Sequence, residues 1–244
     1  SDVCSSDLSS SRKSWPTNSR STQCGTGRVW QSQRSPYVGR VNAWATPITL
    51  AGAHVRIEPL APDHHDDLCD AVRDGELWQL WYTLIPNPDQ MRGEIQRRLD
   101  EQARGSMCAF AVVEPDSGRA VGMTTYMNID AANRRLEIGS TWYRRSVQRT
   151  ALNTEAKRLL LAHAFEDLGA IAVEFRTHFF NHASRHAIER LGAKLDGVLR
   201  SHQINVHPQA RGSLRDTCVY SIIAPEWPTV RAHLDHRLGR SARG

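Results

Sequence analysis

A mixed α/β domain is what this sequence predicts: a mostly antiparallel sheet with one parallel strand pair and helices on both faces. Three observations lead there. Alternating apolar stretches interleave with stretches of helical periodicity in the order strand, two helices, three strands, helix, strand, helix, two strands. Two of the strands flank Pro115-Asp116-Ser117-Gly118, a strong turn signal. A strand–helix–strand run spans residues 135–178, and its crossover requires those two strands to be parallel.

Taken in order, HVRIEPL (His54–Leu60) alternates Val55, Ile57 and Pro59 with polar residues and predicts the first strand. APDHHDDLCDAV has Pro62 and Asp63 at a helix start, with Leu68, Ala71 and Val72 on one face. NPDQMRGEIQRRLDEQARG predicts a helix capped by Asn87, with Pro88 in the first turn and Gln90 completing a capping box. Met91, Ile95 and Leu99 form its apolar stripe. MCAFAVVE, RAVGMTTYMNI and RLEIGSTWY predict three strands. A helix is expected from about Thr154 to Leu168, ending at Gly169. AIAVEFRTH predicts a strand and HASRHAIERLG a helix that starts after Asn181. KLDGVLRSHQI and RDTCVYSII predict two last strands, and EWPTVRAHLDHRL a closing helix or turn.

The chain has 244 residues and a formal net charge of +5, too mild to indicate nucleic acid as a partner. It contains no apolar run of 18 residues, so no membrane span is expected. Its five cysteines are scattered, without a C-x-x-C, which points to free thiols in a reducing, cytoplasmic setting. Cys108 and Cys218 lie in apolar strand-like runs and read as core. Residues 1–47 hold 11 serines, with six basic residues to two acidic ones, and lack apolar periodicity. They are expected to be a disordered tail or, since SDVCSSDL resembles translated sequencing-adapter DNA, an artefact of assembly. The folded domain is placed at 48–235, followed by a flexible tail at 236–244.

The most informative stretch is SVQRTALNTEAKRLLLAHAF, Ser146–Phe165. A helix that follows a strand directly presents unpartnered N–H groups and the positive end of its dipole, which together attract anions. Between residues 144 and 158 stand Arg144, Arg145, Arg149, Lys157 and Arg158, against the single acid Glu155. Cations at a helix start oppose the dipole, and a bound polyphosphate would relieve that conflict. The alternative is an exposed loop with solvated arginines.

Over about residues 48–230 the chain resembles the GNAT acetyltransferases, and within them the RimJ/RimL-like branch. The resemblance rests on VRIEPL, LEIGSTWY, VQRTALNTEAKRLLLAHAF, VEFRTHFFNHASRHAIERLGA and LDGVLR in that order. It implies acetyl-CoA as donor and a primary amine as acceptor (a peptide N-terminus or a small molecule), joined in a ternary complex without a metal. It also implies a pair of parallel strands that splay apart beside the pantetheine arm. The family's phosphate loop usually reads Q/R-x-x-G-x-G/A. This chain has Gln148-Arg149-Thr150-Ala151-Leu152-Asn153, leading into Thr154, with alanine where glycine is usual. A left-handed Ala151 would cost about 1–2 kcal/mol. The loop is expected to grip a diphosphate through backbone N–H groups, with the turn at Asn153.

Glu137 is the candidate proton acceptor, with pairing to Arg135 or Arg176 as its structural alternative. Strict alternation puts Glu137, Gly139, Thr141 and Tyr143 on one face of their strand. Ser184 and Tyr143 are candidate donors to the departing thiolate. Asn181 is expected to cap the second helix and touch pantetheine, and the backbone of Ser140, Thr141 and Trp142 to polarise the thioester. The segments 78–86 and 202–215 are expected to border the acceptor cleft, with Trp78, Trp81 and Tyr82 lining it. His178, His182 and His186 recur every four residues, but helix spacing unites only the last two, so no metal site is assigned. A non-catalytic acyl-CoA-binding or sensing domain is the alternative function. Contact with nucleic acid is not expected, and a homodimer is left open.

Overall fold

The computed structural model describes residues 43–241. Eight strands form one sheet: β1 (Leu50–Ala51), β2 (Arg56–Pro59), β3 (Met107–Val113), β4 (Ala120–Asp130), β5 (Arg135–Tyr143), β6 (Ala172–His178), β7 (Lys194–Ile204) and β8 (Leu214–Ile223). Their spatial order is β1-β2-β3-β4-β5-β6-β8-β7. Every neighbouring pair is antiparallel except β5 and β6, which are parallel as the crossover required.

Among the described residues five α-helices cover the sheet: α1 (His65–Arg73), α2 (Met91–Ala103), α3 (Ala151–Ala162), α4 (His182–Glu189) and α5 (Trp227–Ser241). The alternation of β3 shows how two cores arise. Cys108, Phe110 and Val112 join Leu152, Ala156, Leu160 and Leu234 on the α3 and α5 side. Met107, Ala109, Ala111 and Val113 join Leu68, Val72, Met91 and Ile95 on the α1 and α2 side. A strand clothed on both faces reads as a continuous apolar run, and all seven β3 residues are buried. Cys108 and Cys218 are core residues, each fully buried.

The α2 start forms as its sequence indicates. Asn87 Oδ1 accepts from the Gln90 amide at 2.9 Å, and Gln90 Oε1 accepts from the Asn87 amide at 3.1 Å. Asn87→Ala removes one half of this reciprocal cap and is expected to cost about 1 kcal/mol in urea denaturation.

One helix boundary is corrected. Helix α3 begins at Ala151, three residues before Thr154, because Thr150 is its N-cap and its Oγ1 accepts from the Leu152 amide at 3.3 Å. The chain continues past Ala162 as a π-helical turn, His163–Asp167, and stops at left-handed Gly169. Helix α5 runs to Ser241, so most of the segment expected to be a flexible tail is helical. At the other end, residues 1–42 of the expected tail lie outside the described residues. Residues Ala43–Ala45 form a 3₁₀ turn, and Trp44 packs against the core.

The α3 start is tied to the sheet edge by Glu155, which accepts from the amides of Ala53, at 3.0 Å, and His54. Gly52 makes room for this, since a Cβ there would lie 2.4–2.7 Å from the Glu155 carboxylate.

Candidate active site

The parallel ladder of β5 and β6 is short. It pairs Arg135 with Ala172, Leu136 with Val173 and Glu137 with Glu174, and then stops, although β5 runs on to Tyr143 and β6 to His178. The strands diverge beyond Glu137, leaving a wedge open at their C-terminal ends. Seven residues separate the end of β5 from the start of helix α3, which lies beside that end.

A bulge shapes the β5 side of the wedge. Met123 faces Trp142 and Thr125 faces Gly139, so Ser140 and Thr141 together oppose Thr124. Ser140 takes the left-handed conformation, φ 47°. The extra residue reverses the alternation. Leu136, Ile138 and Tyr143 join the α3-side core, whereas Trp142 joins the α2-side core. Tyr143 therefore does not share a face with Glu137. Its ring is buried and its hydroxyl has no hydrogen-bond partner among the described residues; burial pushes its pKa up.

Glu137 is 5% exposed. Its Oε2 accepts from Asn128 Nδ2 at 2.7 Å, and Arg176 Nε lies 3.5 Å away. Asn128 sits at a second bulge, φ 49°. Gly139 is needed beside it, because a Cβ there would meet Glu137 Oε1 at 2.8 Å and Met127 Sδ at 2.7 Å. Burial raises the Glu137 pKa, opposed by the Asn128 hydrogen bond and by the charges of Arg176 and Arg215. Of the two arginines proposed as structural partners, Arg176 approaches Glu137, while Arg135 pairs with Glu174. Arg215, half-buried with its Nε unpartnered among the described residues, was not singled out by the sequence, and burial lowers its pKa.

At the α3 start the strained residue is Arg149, φ 65°, not Ala151 or Asn153. Ala151 is the first helical residue, so alanine in place of glycine carries no left-handed cost here. Gln148 Nε2 donates to the Tyr143 carbonyl at 2.8 Å, and Thr150 Oγ1 donates to the Val147 carbonyl at 2.8 Å. Leu152, Asn153 and Thr154 lie in the first turn, whose amides precede the intrahelical ladder. The loop cations are fewer than a count of residues implies. Arg144 pairs with Asp74 at 3.0 Å, Arg158 pairs with Asp235 at 2.9 Å, and Lys157 is buried against the sheet. Arg145 and Arg149 remain exposed beside the helix start. An open strand edge, a helix N-terminus and two exposed arginines suit an extended ligand that ends in phosphates.

Lys157 is 6% exposed and donates to Thr141 Oγ1 at 2.8 Å and Thr124 Oγ1 at 3.2 Å. Burial pushes its pKa down to about 7. The sequence counts it among the cations near the helix start, and the fold buries it.

Across the wedge, Asn181 caps α4, its Oδ1 accepting from the Ser184 amide at 3.0 Å. Ser184 is half-buried in the first turn of that helix. The segments 78–86 and 202–215 come together. His207 takes the Gln209 amide on Nδ1 at 3.3 Å, so its Nε2 carries the proton and donates to the Trp78 carbonyl at 3.2 Å. Trp81 packs edge-on to His178 at 5.1 Å and to Tyr82 at 5.6 Å. It also lines an open cleft of about 610 Å³ with Pro208, Gln209, Arg211 and Ser213. Tyr82 lines a smaller neighbouring pocket with His178 and Arg215. The ring of Trp78 packs against the α2-side core instead. His178 ends β6, apart from the α4 residues His182 and His186. Among the described residues no helix is long and apolar enough to cross a membrane.

Residues 54–194 match the family model described as an acetyltransferase (GNAT) domain. YdaF of Bacillus subtilis (strain 168), provisionally named a ribosomal N-acetyltransferase, is 31% identical over 110 residues, 45% of this chain and 57% of its own length. That alignment thus spans little more than half of the relative. A GCN5-related N-acetyltransferase from Brucella melitensis superposes with a TM-score of 0.68 at 33% identity, covering 78% of this chain and 85% of the other. RimJ of Mycobacterium smegmatis, in complex with CoA-disulfide, superposes with a TM-score of 0.64 at 21% identity, covering 80% and 93%. With the family model matching more than half of its length, the chain belongs to the GNAT acetyltransferases.

Proposed function

We propose that this acyltransferase moves the acetyl group of acetyl-CoA to a primary amine by direct attack in a ternary complex. The observation that carries this reading is the wedge between β5 and β6, with the β5 bulge on one side and the α3 N-terminus at its open end. In this reading the unpaired β5 edge hydrogen-bonds the pantetheine arm, and the amides of Ala151, Asn153 and Thr154 hold the diphosphate with Arg149, while Thr150 caps the Leu152 amide. The amine nitrogen attacks the thioester carbon while the backbone at Ser140–Trp142 polarises the carbonyl oxygen. The C–S bond then breaks and the thiolate leaves, with Ser184 at the α4 start to donate to it. Glu137 takes the proton that the amine gives up, directly or through water.

The acceptor is proposed to be a protein α-amine, in keeping with the RimJ/RimL-like branch and with the name of the YdaF relative. An α-amine near pKa 7.7–8 is roughly 10–20% neutral at pH 7, against about 0.04% for lysine, so it asks less of the base. Trp81 and Tyr82 would border its entry. A cytoplasmic location is proposed with this reading. Alanine at position 151 no longer favours the sensing reading, because its backbone is helical.

Calorimetry with acetyl-CoA, followed by a CoA-release assay over N-terminal peptides, lysine peptides and small amines, tests the reading. Saturable binding is expected, with fastest release on α-amines. No heat of binding, or binding without release on any amine, would reject acetyl transfer.

A further inference from the structure

We infer that Arg98 and Lys157 are positioning residues that clamp the β5 bulge from opposite faces of the sheet. From the α2 side Arg98, 2% exposed, donates through Nη2 to the Ser140 carbonyl at 3.2 Å and through Nη1 to Thr125 Oγ1 at 2.6 Å. Its Nε donates to Glu94 at 2.7 Å, and Arg97 holds that carboxylate from the solvent side. From the α3 side Lys157 donates to Thr141 and to Thr124, whose hydroxyls lie 2.8 Å apart, and Thr141 Oγ1 reaches the Gly139 carbonyl at 3.3 Å. Thr124 and Thr125 are successive β4 residues that point to opposite faces, so each cation takes one of them and one residue of the bulge.

Packing alone does not account for this arrangement. Two buried cations under apolar helices are costly, and similarly sized apolar side chains would pack as well or better. Among the described residues Lys157 has no carboxylate within salt-bridge distance, only these hydroxyls. Both groups converge on the one irregular stretch of β5, where a left-handed, non-glycine Ser140 must be held against the regular ladder. The bulge sets the direction of the strand edge that, in the proposed reaction, meets the thioester. An error of about 1 Å there is enough to cost on the order of a hundredfold in rate.

The inference rests on the acetyl-transfer reading for its catalytic consequence, so its test has a second readout. Lys157→Met keeps length and removes both bonds. Arg98→Lys keeps a charge for Glu94 and loses the two-point attachment. In each variant the amides of residues 140–142 are expected to exchange hydrogen about tenfold faster or more, with acetyl-CoA affinity within about threefold of the parent and kcat down about a hundredfold. Lys157→Met is expected to keep or raise the melting temperature, which separates positioning from general destabilisation. Unchanged exchange at residues 140–142 overturns the inference, as does unchanged kcat in an active enzyme. A parent enzyme that releases no CoA on any amine rejects the acetyl-transfer reading alone, and amide exchange then decides the clamp by itself.

Discussion

Glu137→Gln is expected to lower kcat for acetyl transfer by about a hundredfold while changing acetyl-CoA affinity little. The substitution preserves shape and leaves an amide oxygen able to accept from Asn128, so the cavity beside Gly139 stays filled. It removes the proton acceptor. Burial holds the Glu137 pKa above the ordinary carboxylate range, which makes it a better base than a solvated glutamate. In the parent enzyme, kcat/KM should fall as pH drops through that raised pKa, because protonation removes the base. The Gln variant should lose this acid limb.

Stability should not confuse the result. A carboxyl whose folded pKa is raised stabilises fully below its unfolded pKa, and that contribution is lost as pH rises through the folded value. The neutral Gln variant should therefore be no less stable than the parent at pH 7. Arg176 keeps Glu174 as its partner when the Glu137 charge is gone. A Gln variant with parental kcat and an intact acid limb would reduce Glu137 to a structural partner of Arg176 and Asn128. Rate loss with a large rise in the acetyl-CoA dissociation constant would place the defect in binding.

The architecture was legible because its signals are periodic. The strands found in the sequence as β2–β8 are all present, with the parallel pair where the crossover demanded it, and the Asn87 cap forms as its spacing indicates. The two-residue β1 carries too short a pattern to be read. Errors at the site share a cause: they fall where the period breaks. Alternation along RLEIGSTWY assigned Tyr143 to the Glu137 face, but the bulge adds a residue at Ser140, and no glycine or proline at 140 marks it. Placing the α3 start at Thr154 ignored Thr150, a residue type that favours caps, and so put the strain on Ala151 instead of Arg149. Arg98 and Lys157 lie on helices whose charged residues ordinarily face water. Only the tertiary structure turns these two inward, toward threonines far away in sequence.

Lys157→Met should stabilise the protein most at low pH, and the pH dependence of that gain is the diagnostic quantity. With its folded pKa pushed down to about 7, Lys157 binds a proton in the unfolded chain between pH 7 and about 10.5 that it does not bind in the native state. The unfolded state then binds more protons, so stability rises with pH across that window. Below pH 7 both states are protonated and the native state carries the full cost of the buried ammonium. Above about 10.5 neither state is charged and the cost is gone. Methionine carries no such cost at any pH, and other titrating groups cancel when variant and parent are compared under the same conditions. The advantage of Lys157→Met at pH 6 should therefore exceed that at pH 9 by about 2–3 kcal/mol, a melting-temperature difference of about 5–10 °C for a domain of this size. Thermal melts of both proteins at pH 6, 7.5 and 9 measure it. An advantage that does not change with pH, or a variant less stable than the parent at pH 6, would mean that the hydroxyls of Thr124 and Thr141 hold the ammonium charged. In that case the native state retains its proton through neutrality.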